Sequence, residues 1–340
     1  MQTLVASILV FGLLVLAHEL GHFFACRATR VKVLELALGF GPRLAGWKKG
    51  DTSYSLRLFP LGGFCRMLGE DPEQEEVPSE DSFIRKSILQ RALILIAGPL
   101  MNLVLALLLF FVIFYFMLGT PLTGSSFLGE IVDDSPASRA GLRPGDEIVA
   151  IDGRRIDNWD EVVAQIENRA GEKVTIDLLR QGEQLTVTAV PELTPGAGKA
   201  IIGISPPVKR FHFVESVKVS FSRFALILTT IGRTITGRAP LDVTGPVGVI
   251  MIVGEAAATG FVNLVWLAGL ISISLGIINL LPIPALDGGR LLFLVVEGLR
   301  GKPLDPEKEG LIHFIGFAAL LLLILFVTYH DLIRWDIIPR

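Results

Sequence analysis

Four apolar runs, each long enough to cross a bilayer, constrain this 340-residue chain more than any other feature. They lie at about residues 3–26, 92–118, 261–285 and 311–329, and a hydrocarbon core of about 30 Å takes roughly 20 helical residues. Lipid offers the backbone no hydrogen-bonding partner, so such runs fold as helices. Composition agrees: 51% of residues are hydrophobic and 19% charged, which is too apolar for an ordinary soluble domain. The expected fold class is a polytopic α-helical membrane protein with four transmembrane helices. "MQTLV" has no basic n-region and no small-residue cleavage site follows the first run, so that run is expected to be retained. A net charge of −3 with no dominant basic stripe argues against a nucleic-acid partner.

Lys and Arg placement orients the spans. Arg27, Arg30 and Lys32 follow the first, and Arg85, Lys86 and Arg91 precede the second. The positive-inside rule therefore puts the N-terminus outside and the 27–91 loop in the cytoplasm. Counting spans then places the 119–260 insert outside. Its "FLGEIVDDSPASRAGLRPGDEIVAIDG" alternates short apolar strands with Gly, Pro and Asp turns, "WDEVVAQI" reads as a helix, and "KVTIDLLR" and "QLTVTAV" flank a turn at Gln181 and Gly182. Residues 126–206 thus form a β-rich module that resembles a PDZ domain. Such a module takes an extended peptide or free C-terminus along a sheet edge, unless it is a spacer whose groove is unused. "IIGIS" at 201–205 is the candidate carboxylate loop. Residues 211–240 place Lys218, Arg223, Arg233 and Arg238 among apolar residues at helical spacing, as an amphipathic segment in the lipid interface or a docking surface against the spans.

The first span carries "HELGH". Ionisable groups at the bilayer centre cost about 2.5–3.5 kcal/mol each and usually have a task. His18 and His22, four apart, lie on one helical face and can share a metal ion. Glu19 occupies the position from which an HExxH glutamate takes a proton from metal-bound water. A catalytic zinc takes three protein ligands, so a third is needed. His212, His313 and His330 are read as interfacial or core residues. Asp287 is the stronger candidate, because it follows Pro282 and Pro284 where the third span must break, and broken helices at membrane depth commonly mark a site. Span counting puts Asp287 and the two histidines at the same inner end. Cys26 and Cys65, without a CxxC, are expected to be small buried apolar residues. Asn102 is expected to bond between helices. "VKVLELALGFGP" and "TSYSLRLF" alternate as two strands, with Tyr54, Leu56 and Leu58 on one face and Ser55 and Arg57 on the other.

With "HELGH" at 18–22, "GFGP" at 39–42, "PLGGFCRMLGE" at 60–70, "AGPLMN" at 97–102, "TGPVG" at 244–248 and "NLLPIPALDGG" at 279–289, the chain resembles the site-2 protease family of intramembrane zinc metalloproteases, peptidase family M50. The resemblance covers nearly the whole length. It implies that His18, His22 and Asp287 hold Zn2+, that Glu19 activates the water, and that Asn279 and Pro282 shape the substrate cleft. It also implies a membrane-associated β-hairpin or sheet over 31–70. The implied substrates are single-span membrane proteins, such as anti-sigma factors or signal-peptide remnants, in a bacterial cytoplasmic membrane, with the active site toward the cytoplasm. The chain has one PDZ-like module where some relatives have two. The competing reading is a non-enzymatic membrane adaptor built around the PDZ-like module.

Overall fold

The computed structural model describes residues 1–70, 79–193, 198–238, 244–335 and 337. They divide into two compact units, Met1–Ile113 with Val217–Arg340, and Phe114–Ser216. The first unit opens with helix α1 (Gln2–Ala28), strands β1 (Val33–Lys49) and β2 (Thr52–Met67), and helix α2 (Ile88–Val112). Ser87 starts α2 with a reciprocal cap: the Gln90 N–H donates to Ser87 Oγ at 3.3 Å, and the Ser87 N–H donates to Gln90 Oε1 at 3.1 Å. Small residues let α1 and α2 touch backbone to backbone. A Cβ added at Gly21 would sit 2.2 Å from the Ala97 carbonyl oxygen.

β1 and β2 fold back on themselves, so that residues 35–38 pair with 63–66 on one side and with 53–56 on the other. Val33, Leu36, Cys65 and Met67 pack with Phe23, Cys26 and Ile94, which fixes this sheet to α1 and α2. Two polar residues of the sheet are buried and several apolar ones are exposed. Ser55 and Glu35 are 6% and 7% exposed, whereas Leu58 and Trp47 are 48% and 63% exposed. Ser55 Oγ donates to Glu35 Oε1 at 2.6 Å and Arg57 Nη2 to the same oxygen at 2.7 Å. Ser55 and Arg57 are thus turned toward Glu35, while Leu56 and Leu58 face outward and Tyr54 of the same face packs on Phe23.

The second unit begins with β3 (Gly119–Pro121), α3 (Pro136–Arg139), β4 (Glu147–Ile151), β5 (Arg154–Arg155) and α4 (Trp159–Ile166). It continues with β6 (Val174–Arg180), β7 (Glu183–Ala189), β8 (Glu192–Leu193), β9 (Ala200–Ile201) and β10 (Val208–Arg210). Its main sheet has the order β5-β4-β6-β7. The inward residues of β4 and β6, Ile148, Ile151, Ile176 and Leu178, join Trp159, Val162 and Ile166 of α4 in one core. A groove of about 290 Å³ runs along α4, lined by Val162, Val163 and Ile166 opposite Ile201, Gly203 and Ile204, so the "IIGIS" segment lies at the groove.

The chain then returns through α5 (Phe213–Ile235), α6 (Pro246–Thr259), α7 (Phe261–Leu280), α8 (Asp287–Arg300) and α9 (Pro306–Arg334). α5 covers most of the expected 211–240 segment, whose last two residues lie outside the described ones. α6 was not expected; at 14 residues it is too short for a span. Its N-terminus is held by Asp331 of α9, which accepts from the N–H groups of Gly245 at 3.1 Å and Gly248 at 2.7 Å. Ala6, Val10 and Leu14 of α1, Leu105 of α2, Val253 of α6 and Ala268 of α7 form the membrane core. Among the described residues, α1, the Ile88–Met117 stretch, α7 and α9 are the four helices long and apolar enough to cross a bilayer. The third run differs from a single helix over 261–285. Pro282 and Pro284 lack the N–H groups a continuing helix needs, so α7 stops at Leu280 and α8 starts afresh at Asp287.

Candidate metal centre

His18 and His22 lie one turn apart on α1, and Asp287 opens α8. Two glycines seat α8 there. A Cβ at Gly288 would lie 2.2 Å from the Leu281 carbonyl oxygen, and one at Gly289 2.3 Å from that of Ile283. This contact brings Asp287 Oδ2 to 3.1 Å from His18 Nε2 and 3.5 Å from His22 Nε2. The two Nε2 atoms are 3.2 Å apart, with the rings edge to face. Among the described residues this is the one His/Cys/Asp/Glu cluster able to hold a metal ion.

The donor set fits zinc. Ligand bonds of about 2.0–2.2 Å in tetrahedral geometry separate ligand atoms by roughly 3.3–3.6 Å, close to the three separations found. His22 Nδ1 lies 2.8 Å from the Ile94 carbonyl oxygen. A carbonyl only accepts, so Nδ1 carries the ring proton and the Nε2 lone pair is left for a metal. Glu19 is on the same helix, its Cγ 3.3 Å from where a Cβ on Gly63 of β2 would be, and its carboxylate is within electrostatic reach of His18, His22 and Asp287.

Asn279 lies half-buried in the last turn of α7, and Pro282 is exposed in the turn after it. Among the described residues, no hydrogen bond joins either to the cluster. Other contacts there escaped the reading of the sequence. Asn102, expected to bond between helices, has Nδ2 3.4 Å from His18 Nδ1, while Ser272 Oγ of α7 donates to its carbonyl at 2.7 Å. Gly98 leaves room for the second histidine, since a Cβ there would be 2.3 Å from His22 Nε2. α8 is pinned at two levels. Arg290 pairs with Glu70 at the end of the hairpin, and Arg91 of α2 grips Glu297 with both terminal nitrogens, at 3.1 and 2.5 Å. His313 accepts a hydrogen bond from the turn before Asp287.

A helical membrane body enclosing two histidines, a carboxylate and an adjacent glutamate defines the class of membrane-embedded metallohydrolases. The family model for peptidase family M50 matches residues 6–323. The chain is 34% identical to a protein named zinc metalloprotease RasP from Geobacillus kaustophilus, over 98% of each chain. It is 33% identical to one named regulator of sigma-W protease RasP from Bacillus subtilis, over 98% of this chain and 99% of that one. Among solved structures, a PDZ domain from Listeria monocytogenes is similar to 24% of this chain and 87% of its own, at 24% identity and a TM-score of 0.23. The chain belongs to peptidase family M50.

Proposed function

We propose that His18, His22 and Asp287 hold the zinc ion of an intramembrane metalloprotease and that Glu19 is its general base. The protease activity and the zinc dependence follow from the family and from relatives matched end to end. The observation that supports the assignment of roles is the convergence of three ligand atoms within 4.8 Å of one another from α1 and α8. Zinc held by these three side chains would supply Lewis acidity for the scissile carbonyl and for a water nucleophile. Glu19 accepts the proton of the attacking water and delivers it to the leaving amine. The Ile94 carbonyl orients the His22 imidazole from behind, and Asn102 does the same for His18 with its side-chain amide turned so that Oδ1, otherwise buried without a partner, accepts from Nδ1–H. Asn279 and Pro282 border the substrate, on α7 and the turn that follows it.

The proposed substrates are single-span membrane proteins, such as anti-sigma factors or signal-peptide remnants. A peptide bond in a helix is shielded by its own hydrogen bonds, so the target must unwind. Residues 43–49, paired with 52–57, offer an edge to which an unwound segment can add as a strand. The Lys and Arg distribution supports a cytoplasmic-membrane location with the PDZ-like unit outside and the metal site toward the cytoplasm. Glu19→Gln should abolish cleavage of a co-expressed single-span substrate and leave one zinc per chain. Continued cleavage would remove Glu19 from the mechanism.

A further inference from the structure

We propose that His313, on α9, is a positioning residue for Asp287: together with Gly316 it clamps the turn that presents this carboxylate to the two histidines. The proposal rests on Asp287 being a zinc ligand. The Ala285 N–H donates to His313 Nδ1 at 3.0 Å. A backbone N–H can only donate, so Nδ1 is the unprotonated nitrogen and Nε2 bears the proton. Nε2 is buried and faces Glu309 Oε1, one turn back, at 3.9 Å. Phe293 of α8 holds the imidazole edge to face, ring centroids 5.1 Å apart. His313 therefore touches both the turn before Asp287 and the helix after it.

Gly316 is the second jaw. It lies three residues on, on the same face of α9, and a Cβ there would be 2.4 Å from Pro284 Cβ and 2.8 Å from the Pro284 carbonyl oxygen. Ala285 itself has φ +78. A non-glycine residue keeps that left-handed conformation only where its surroundings hold it. On the other side, the carbonyls of Leu280 and Leu281 press on Gly288. The carboxylate position is thus set from two directions, by α7 within its own segment and by α9 from across the fold. Groups that orient metal ligands in this indirect way typically change affinity about 10- to 100-fold when removed.

The test uses the full chain in lipid nanodiscs, with the zinc dissociation constant measured by chelator competition and kcat and KM measured on a transmembrane peptide. His313→Leu should weaken zinc about 10- to 100-fold and lower kcat with KM unchanged. His313→Asn, whose Oδ1 can take the place of Nδ1 as acceptor, should restore both. Gly316→Ala should reproduce His313→Leu without altering the imidazole, and so serves if His313→Leu does not fold. Gly310→Ala on the same helix, where a Cβ meets nothing within 4 Å, should change neither. Unchanged zinc affinity in His313→Leu and Gly316→Ala, alongside loss of zinc in Asp287→Ala, would overturn the clamp and leave the ligand assignment standing. Zinc retained by Asp287→Ala would overturn both.

Discussion

The Nε2 of His22 faces the proposed metal position with almost no slack, because Gly98 of α2 is its neighbour. Gly98→Ala should displace the imidazole and weaken zinc at least about 10-fold, the scale of other changes that disturb ligand orientation. Chelator competition measures this, with Gly12→Ala on α1 as the control, since a Cβ there meets nothing within 4 Å. His18, Glu19 and His22 were legible in the sequence because helical spacing is local and the residue types are costly in lipid. Asp287 was legible through the prolines that break its span. Gly98, Asn102 and His313 were not, because their importance lies in contacts across elements far apart in the chain, which no periodicity records. For Asn102 a polar role between helices could be read, but not that its partner is a histidine of the cluster.

At the scale of elements, the alternation in β1 and β2 was legible while its sense was not. The usual inward face of Val33, Leu36, Cys65 and Met67 packs on α1 and α2, yet Glu35, Ser55 and Arg57 are also drawn together while Leu56 and Leu58 are exposed. α6 escaped notice since it is shorter than a span and its anchor, Asp331, lies on α9. In the β-rich unit the ordinary rule holds, and the loop before β4 is fastened by a buried carboxylate. Asp146 accepts from the Arg143 N–H at 2.8 Å, from Arg180 Nε at 2.7 Å and from Arg180 Nη2 at 2.8 Å. Burial alone raises its pKa, but these bonds outweigh it and hold the carboxyl below its ordinary value. A depressed folded-state pKa contributes stability at pH above the unfolded value, about 3.9, which is lost as pH falls through the folded one. Asp146→Asn should therefore cost about 2 kcal/mol at pH 7, the worth of charge-assisted hydrogen bonds, and flatten the acid dependence. Protection of the β6 amides against hydrogen exchange, corrected for intrinsic rates, checks both effects.

On the scale of the whole molecule, the membrane body carries the proposed chemistry and the β-rich unit carries an apolar groove between α4 and residues 201–205. We expect this unit to act as a filter that admits membrane proteins already shortened outside. Deleting residues 126–206 should then make intact single-span proteins cleavable, scored by immunoblot of the co-expressed target. Loss of cleavage for trimmed substrates instead would make the groove a reader of free C-termini. The order of the two halves has a further consequence for how the protein is made. The histidines enter the membrane with the first span, but Asp287 emerges only after the inserted unit and the third span have been synthesised. A nascent chain therefore passes through most of its biogenesis with two of the three proposed metal ligands and no third, and the helix that holds the Asp287 turn, α9, is made last of all.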